Sequence, residues 1–144
     1  MVIKVKKLND RAVLPTYGSG GAAGADLYSA EENDVTIDCG KTAFIGTALA
    51  AEIPEGYVGL VYARSGLATK RGLAPANKVG VIDSDYRGEL MVALHNDSPV
   101  TRVVKHGDRI AQLVLLPYLP MEFEEVDALD ETARGAGGFG STGK

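Results

Sequence analysis

The chain has 144 residues, 45% apolar and 24% charged, with a formal net charge of −4. That length suits one domain with its own core, and the composition is that of a globular protein. The acidic balance excludes a basic face for bulk nucleic acid, so any anionic ligand must be met by cations placed locally.

Residues 2–6 alternate, Ile3 and Val5 against Lys4 and Lys6, and predict a half-buried first strand. The same stretch lacks an apolar h-region, so no signal peptide is expected, and no apolar run reaches membrane-spanning length. Arg11 to Leu14 reads as a short extended piece stopped by Pro15. Tyr17 to Leu27 is a small-residue loop that ends in the carboxylate of Asp26. Val35 to Ile37 alternates again, and Asp38, Cys39 and Gly40 turn the chain. A single cysteine excludes an internal disulfide framework and a multi-cysteine metal site, and Cys39 is expected as a small apolar side chain. Thr42 to Ile53 is β-compatible, and Pro54 to Gly56 turns. Tyr57 to Ala63 is apolar on both faces, like a central strand. Arg64, Ser65 and Gly66 break it, and Leu67 to Arg71 predicts one helical turn, the one helix expected. Ile110 to Leu116 is the most apolar strand, ended by Pro117 and Pro120.

With 18 glycines and no tryptophan, short apolar runs separated by Gly, Pro, Asn and Asp dominate. That pattern predicts an all-β sandwich or barrel. Several strands are apolar on both faces, more than one small core covers. The favoured remedy is an oligomer whose subunits cover each other's outer faces; a tightly wound barrel is the alternative.

The stretch Gly80 to Glu89 concentrates polar chemistry. Val79 to Ile82 delivers Asp83; Asp85, Tyr86, Arg87 and Gly88 follow, and Leu90 to Leu94 leads away. It reads as strand, tight turn, strand, a hairpin with polar groups at the bend. The C-terminus differs in kind. Residues 124–132 are acidic, and five glycines fall between residues 134 and 143. Such an arm cannot order itself, because each glycine carries a large ordering entropy. Yet Arg134, Phe139, Ser141 and Thr142 give it a charge, a ring and two hydroxyls, a composition suited to a lid over an anionic, aromatic ligand. The chain accordingly divides into a β domain over 1–125 and a flexible arm over 126–144.

Two look-alikes fail on context. Gly138, Gly143 and Lys144 match part of a P-loop, but the chain stops where its helix should begin. Gly18 to Ala23 matches a relaxed dinucleotide fingerprint without a β-α-β unit around it. His95 and His106 lack metal-ligand spacing.

Five segments combine glycine-permitted backbone with charged or hydroxyl side chains: Ala23 to Leu27, Arg64 to Gly66, Gly80 to Glu89, Gly107 to Gln112, and Arg134 to Gly143. In this order and at these spacings they resemble the five motifs of the trimeric deoxyuridine triphosphatases (dUTPases), over nearly the whole chain. One departure is Ala63, where a proline commonly precedes Arg-Ser-Gly. The resemblance implies a homotrimer of jelly-roll-like β subunits with active sites at their interfaces. It implies Mg²⁺-assisted hydrolysis of dUTP to dUMP and pyrophosphate, which removes dUTP and supplies dUMP for thymidylate synthesis. It gives no nucleic-acid or membrane partner and a cytoplasmic location, or a nuclear one in a eukaryote.

Carried over by position, the resemblance makes Asp83 the general base that activates a water against the α-phosphorus. Tyr86 would pack on the deoxyribose and exclude a 2′-hydroxyl. Asn77 and the backbone of Gly80, Val81 and Ile82 would read the uracil edge. Arg64, Ser65, Gly66 and Gln112 would hold phosphates, and Asp26 would meet Mg²⁺ through water. From the arm, Phe139 would stack on uracil, Arg134 would engage phosphate, and Gly140, Ser141 and Thr142 would bind around the triphosphate end. Blander roles stand beside these: a turn cap for Asp26, a core or interface ring for Tyr86, an interface salt bridge for Arg87, and a local pair for Asp108 and Arg109. The nearest rival is a deoxycytidine triphosphate deaminase, which shares the fold; its catalytic Glu is expected ten residues after Asp83, where this chain has Ala93. The second rival is a non-catalytic nucleotide-binding protein on the same scaffold, which could dispense with Asp83 and the arm.

Overall fold

The structure is a computed structural model, and it describes residues 1–138. Twelve short strands and one helix follow in order: β1 (Lys4–Lys7), β2 (Thr16–Tyr17), β3 (Ala25–Tyr28), β4 (Val35–Ile37), β5 (Thr42–Gly46), β6 (Leu49–Glu52), β7 (Tyr57–Tyr62), α1 (Ser65–Arg71), β8 (Leu73–Pro75), β9 (Val79–Ile82), β10 (Met91–Asn96), β11 (Arg102–Val104) and β12 (Arg109–Pro117). The expected all-β, jelly-roll-like subunit with a single short helix is what these residues build.

The strands pair antiparallel throughout. A five-stranded sheet runs β2-β3-β12-β7-β9 and a three-stranded sheet runs β5-β10-β8, with the two-stranded pairs β1-β6 and β11-β4 beside them. Leu27, Val61, Ile110 and Ala111 from the larger sheet meet Ile45, Leu73, Val92 and Leu94 from the smaller in one core. Each of these eight is buried. This burial is the main favourable term, on the order of 1.5–3 kcal/mol per large aliphatic side chain.

The period-2 alternation of strands fixes what the outer face of the large sheet carries. Gln112 is opposite both Asp26 and Tyr62, and Tyr62 is opposite Val79, so these four form one row across the sheet. The next row, Ala25, Leu113, Val61 and Gly80, points the other way, toward the core. Further along the outer face stand Val58, Leu60, Val81, Val114 and Leu116. Val81 is 60% exposed and Leu116 41%. The excess of apolar strands read from the sequence therefore resolves into an uncovered apolar sheet face.

Three local expectations are corrected. Val79–Ile82 and Met91–Asn96 are strands and the turn between them exists, with Tyr86 N donating to Asp83 O at 3.2 Å. They form no hairpin: β9 pairs with β7, and β10 pairs with β5 and β8. The segment is a crossover between the two sheets, because both flanking runs are apolar enough to join different layers. Asp26 lies inside a strand and not in a loop, since Ala25, Asp26 and Leu27 find partners on β12 that local composition does not reveal. Cys39 is an exposed turn residue and fills no core space. The run from Thr42 to Ile53 also breaks at Ala48, whose φ of 52° separates β5 from β6.

A candidate nucleotide site in two parts

The first part is a pocket of about 390 Å³ lined by Asn77, Gly80, Val81, Ile82, Asp83 and Tyr86, with Phe44, Glu89 and Ala93 among its other walls. β9 and the crossover supply most of it. Lys78, in the turn before β9, has a φ of 64°, and its N–H donates to Pro75 O at 2.9 Å. A non-glycine residue there stores strain of roughly 1–3 kcal/mol, which the surrounding pairing must offset. Gly80 explains how Asn77 reaches the strand. A Cβ at position 80 would lie 3.3 Å from Asn77 Nδ2 and 3.2 Å from Val61 Cβ. The missing side chain leaves the Asn77 amide beside the backbone of β9, where donor and acceptor edges can face a planar heterocycle together.

Asp83 follows directly after β9 and is exposed. Tyr86 is 43% exposed, and its hydroxyl donates to Glu89 O at 2.9 Å. Arg87 donates from Nη1 to Ser84 O at 2.7 Å and to Tyr86 O at 2.9 Å, so within the chain it braces the turn. Ala93 lines this pocket, and the deaminase reading would place its carboxylate there. Glu89 lines it too, but its Oε1 accepts the N–H of Ala48 at 2.7 Å.

The second part lies on the other side of β7. Asp26 is 6% exposed, and Arg64 Nε donates to its Oδ1 at 2.7 Å while Arg109 Nη1 donates to its Oδ2 at 3.3 Å. Burial of a carboxylate requires such partners. Arg109, expected to pair with Asp108, instead reaches across the sheet to Asp26, while Asp108 Oδ2 accepts from Lys105 N. The pairing register of β12 on β3 shifts between Arg109 and Ala111, where Arg109 departs from the regular ladder. Gln112 Nε2 donates to Ala63 O at 2.9 Å. A Cβ on residue 24 would come within 2.6 Å of Gln112 Oε1, so Gly24 makes room for that amide.

Arg64 also caps α1 with an extended φ/ψ of −83°/128°, and Ser65 and Gly66 begin the helix. No acidic residue sits in that first turn, and space beside Gly66 is open. Arg64, Gly66, Arg71 and Arg109 line a cleft of about 280 Å³ floored by Leu67, Leu73, Val104 and Ile110. Asp108 lines the same cleft, so three guanidinium groups against one lining carboxylate supply the locally placed cations that an acidic chain needs for an anion.

The structure thus gathers the expected site residues into two groups. Asn77, Gly80, Val81, Ile82, Asp83 and Tyr86 share one pocket; Asp26, Arg64 and Gln112 form the other group, with Ser65 and Gly66 at the adjoining helix start. Across the sheet, from Asp26 to Val79, three strand steps amount to about 14 Å. Arg134 lines neither pocket; its Nε donates to Gly137 O at 2.8 Å. Phe139, Gly140, Ser141 and Thr142 lie outside the described residues. Sequence reasoning missed Arg109, Arg71 and Glu89. Arg109 sat in a recognised segment, at the start of a strand pairing that only the register reveals.

Among the described residues no three His, Cys, Asp or Glu side chains converge. Asp26 is a lone carboxylate, already shared by two arginines. This donor set fits a magnesium ion that arrives with phosphate and water ligands and touches the protein through water, since Mg²⁺ dehydrates reluctantly.

Known proteins match this chain over nearly its whole length. The dUTPase family model covers residues 10–143. A deoxyuridine 5′-triphosphate nucleotidohydrolase of Desulfitobacterium hafniense is 57% identical over 131 residues, covering 90% of this chain and 87% of that one. Its counterpart in Nautilia profundicola is 51% identical over 144 residues, covering 100% of both. Among solved structures, a point mutant of the dUTPase of Staphylococcus bacteriophage 80alpha with dUpNHpp superposes with a TM-score of 0.90 at 31% identity, covering 99% of each chain. A point mutant of the dUTPase of S. aureus phage phi11, solved with a coordinated structural Mg(II) ion, gives 0.82 at 29% identity over 91% of this chain and 100% of that one. From the family match, the high identity over full length and the shared fold, the chain belongs to the dUTPase family.

Proposed function

We propose that in this dUTP diphosphatase Asp83 is the general base. Its carboxylate takes a proton from a water whose oxygen attacks the α-phosphorus of dUTP. The bond from the α-phosphorus to the bridging oxygen breaks, and pyrophosphate leaves with that oxygen, giving dUMP. A carboxylate at an exposed pocket rim can hold such a water within hydrogen-bond reach. Asn77 and the backbone of Gly80, Val81 and Ile82 read the uracil edge, and a closely fitted strand leaves no room for a 5-methyl group. Tyr86 packs on the deoxyribose, where a 2′-hydroxyl would be excluded and left unpaired.

Arg64, Ser65, Gly66 and Gln112 hold phosphate oxygens by charge, hydroxyl, backbone N–H and amide. When bound, Mg²⁺ supplies charge neutralisation and fixes the triphosphate for in-line displacement. Asp26 would hold it through water, its own charge balanced by Arg64 and Arg109. The arm, residues 126–144, acts as the lid: Arg134 engages phosphate, Phe139 stacks on uracil, and Gly140, Ser141 and Thr142 bind the triphosphate end. The enzyme removes dUTP and supplies dUMP for thymidylate synthesis, in the cytoplasm or, in a eukaryote, the nucleus.

The active unit is a homotrimer. Support comes from the apolar outer face of β7, β9 and β12, and from the division of the site residues into two groups that one chain keeps apart. Interfaces between subunits would bring the uracil pocket of one chain against the phosphate-holding group of another.

The observation that carries the reading is the convergence of Asn77, Gly80, Val81, Ile82, Asp83 and Tyr86 on one pocket. A pyrophosphate-release assay comparing dUTP, dTTP, dCTP and UTP with Mg²⁺ tests it. Turnover of dUTP alone supports it; equal turnover of dTTP or UTP contradicts the assigned uracil and sugar contacts.

A further inference from the structure

Glu89 stands apart from the roles assigned above, yet it is tied at both ends. Its carboxylate Oε1 accepts the N–H of Ala48 at 2.7 Å, and its backbone carbonyl accepts the Tyr86 hydroxyl at 2.9 Å. The next residue is held as firmly. Leu90 N donates to Leu49 O at 2.7 Å, and Thr47 Oγ1 donates to Leu90 O at 2.7 Å. Residues 89 and 90 are thus clamped by three hydrogen bonds to the link between β5 and β6 and the first residue of β6, and Thr47, Ala48 and Leu49 there are all buried. Ala48 sits there at a φ of 52°, so this link is itself fixed in a costly conformation.

The Tyr86 ring is folded back over the same crossover. A Cβ on residue 88 would fall within 2.6 Å of Tyr86 Cζ, so glycine at 88 lets the ring lie flat against the backbone. The far end of the ring is then pinned by the hydroxyl bond to Glu89 O. Without the clamp the crossover from Asp83 to Leu90 would keep only its turn contacts, and a half-exposed ring on a loose turn is a poor steric gate.

We propose that Glu89 is a positioning residue for sugar discrimination. Its carboxylate anchors the crossover to Ala48, and its carbonyl holds the Tyr86 ring where a 2′-hydroxyl would clash. This rests on the reading of Tyr86 as the sugar contact. Glu31, between β3 and β4, reaches the same region, its Oε1 accepting from Gly46 N at 2.6 Å, so two carboxylates accept from backbone amides at the end of β5 and the link that follows it. An amide at 89 retains an acceptor for Ala48 N–H and removes one of the two charges.

The quantity to measure is kcat/KM for dUTP divided by that for UTP. Glu89→Ala should lower this ratio at least about tenfold, chiefly by raising UTP turnover, and Glu89→Gln should keep it within about threefold of wild type. Tyr86→Phe, which removes only the hydroxyl and leaves the clamp, should lower the ratio as Glu89→Ala does, and the double variant should add little. A purely structural Glu89 would reduce both substrates alike and leave the ratio unchanged, which overturns the proposal. An unchanged ratio in Tyr86→Phe overturns it equally, even if Glu89→Ala fails to fold. Tyr86→Ala separates the two failures. If that variant loses discrimination while Glu89→Ala keeps it, the positioning role fails alone; if Tyr86→Ala keeps discrimination, the sugar-gate reading falls and takes the proposal with it.

Discussion

Arg64 donates to Asp26 at 2.7 Å, and this is the best-buried ion pair among the described residues, with side-chain exposures of 26% and 9%. Asp26 is also the point where Arg109 joins the cluster. Replacement by Asn leaves two guanidinium groups facing a neutral amide. Asp26→Asn is expected to cost about 1.5–3 kcal/mol in urea denaturation, the scale of hydrogen bonds to charged groups. Glu52→Gln, which breaks the exposed pair with Lys4 (side-chain exposures 78% and 47%), should change stability by less than about 1 kcal/mol. Equal costs for the two variants would contradict a structural share for Asp26.

Gly80→Ala tests the uracil contact without removing a polar group. The new methyl would press on Val61 Cβ at 3.2 Å and on Asn77 Nδ2 at 3.3 Å. Displacement of the Asn77 amide should raise KM for dUTP by roughly tenfold, about 1.4 kcal/mol of lost binding, while kcat falls less. An unchanged KM would remove Asn77 from the uracil contact.

A charge on the outer sheet face should break the trimer. Val114 and Leu60 stand opposite each other there, with Val81 on the next strand. Val114→Glu should shift sedimentation from trimer to monomer and abolish turnover while the strand content by circular dichroism persists. A trimeric, active variant would mean that this face is not the interface.

Removal of residues 134–144 should leave the fold intact. The last strand ends at Pro117, and Leu119, Met121, Phe123 and Leu129 beyond it are 73–89% exposed, so the core owes little to the segment. The truncated protein should melt within about 2 °C of the full chain and lose at least about a hundredfold in kcat/KM. Loss of the trimer on truncation would make the arm structural.

Much of this was legible in sequence because its signals are local. Period-2 alternation gave Val35–Ile37, a run apolar on both faces gave the strand Tyr57–Tyr62, and the helix differs only in starting at Ser65, since Ser65 and Gly66 carry no periodic signal. The motif segments gave the residues that line the Asp83 pocket. What stayed hidden depends on partners far along the chain. The crossover at Gly80 to Leu90 looked like a hairpin because two apolar runs flank a turn, and nothing nearby says that they join different sheets. Arg109 looked like a partner for its neighbour Asp108, whereas the register of β3 on β12 delivers it to Asp26, 83 residues away. Glu89 was an ordinary turn-end acid until its contact with Ala48, 41 residues away, appeared.

Asp83→Asn tests the central claim most directly, with pyrophosphate release and dUTP binding measured on the same protein. The account predicts that kcat falls by about 10²–10⁴-fold while affinity for dUTP stays within about threefold, because the amide keeps the shape of the pocket and loses the base. Wild-type turnover in this variant would contradict the assignment of Asp83.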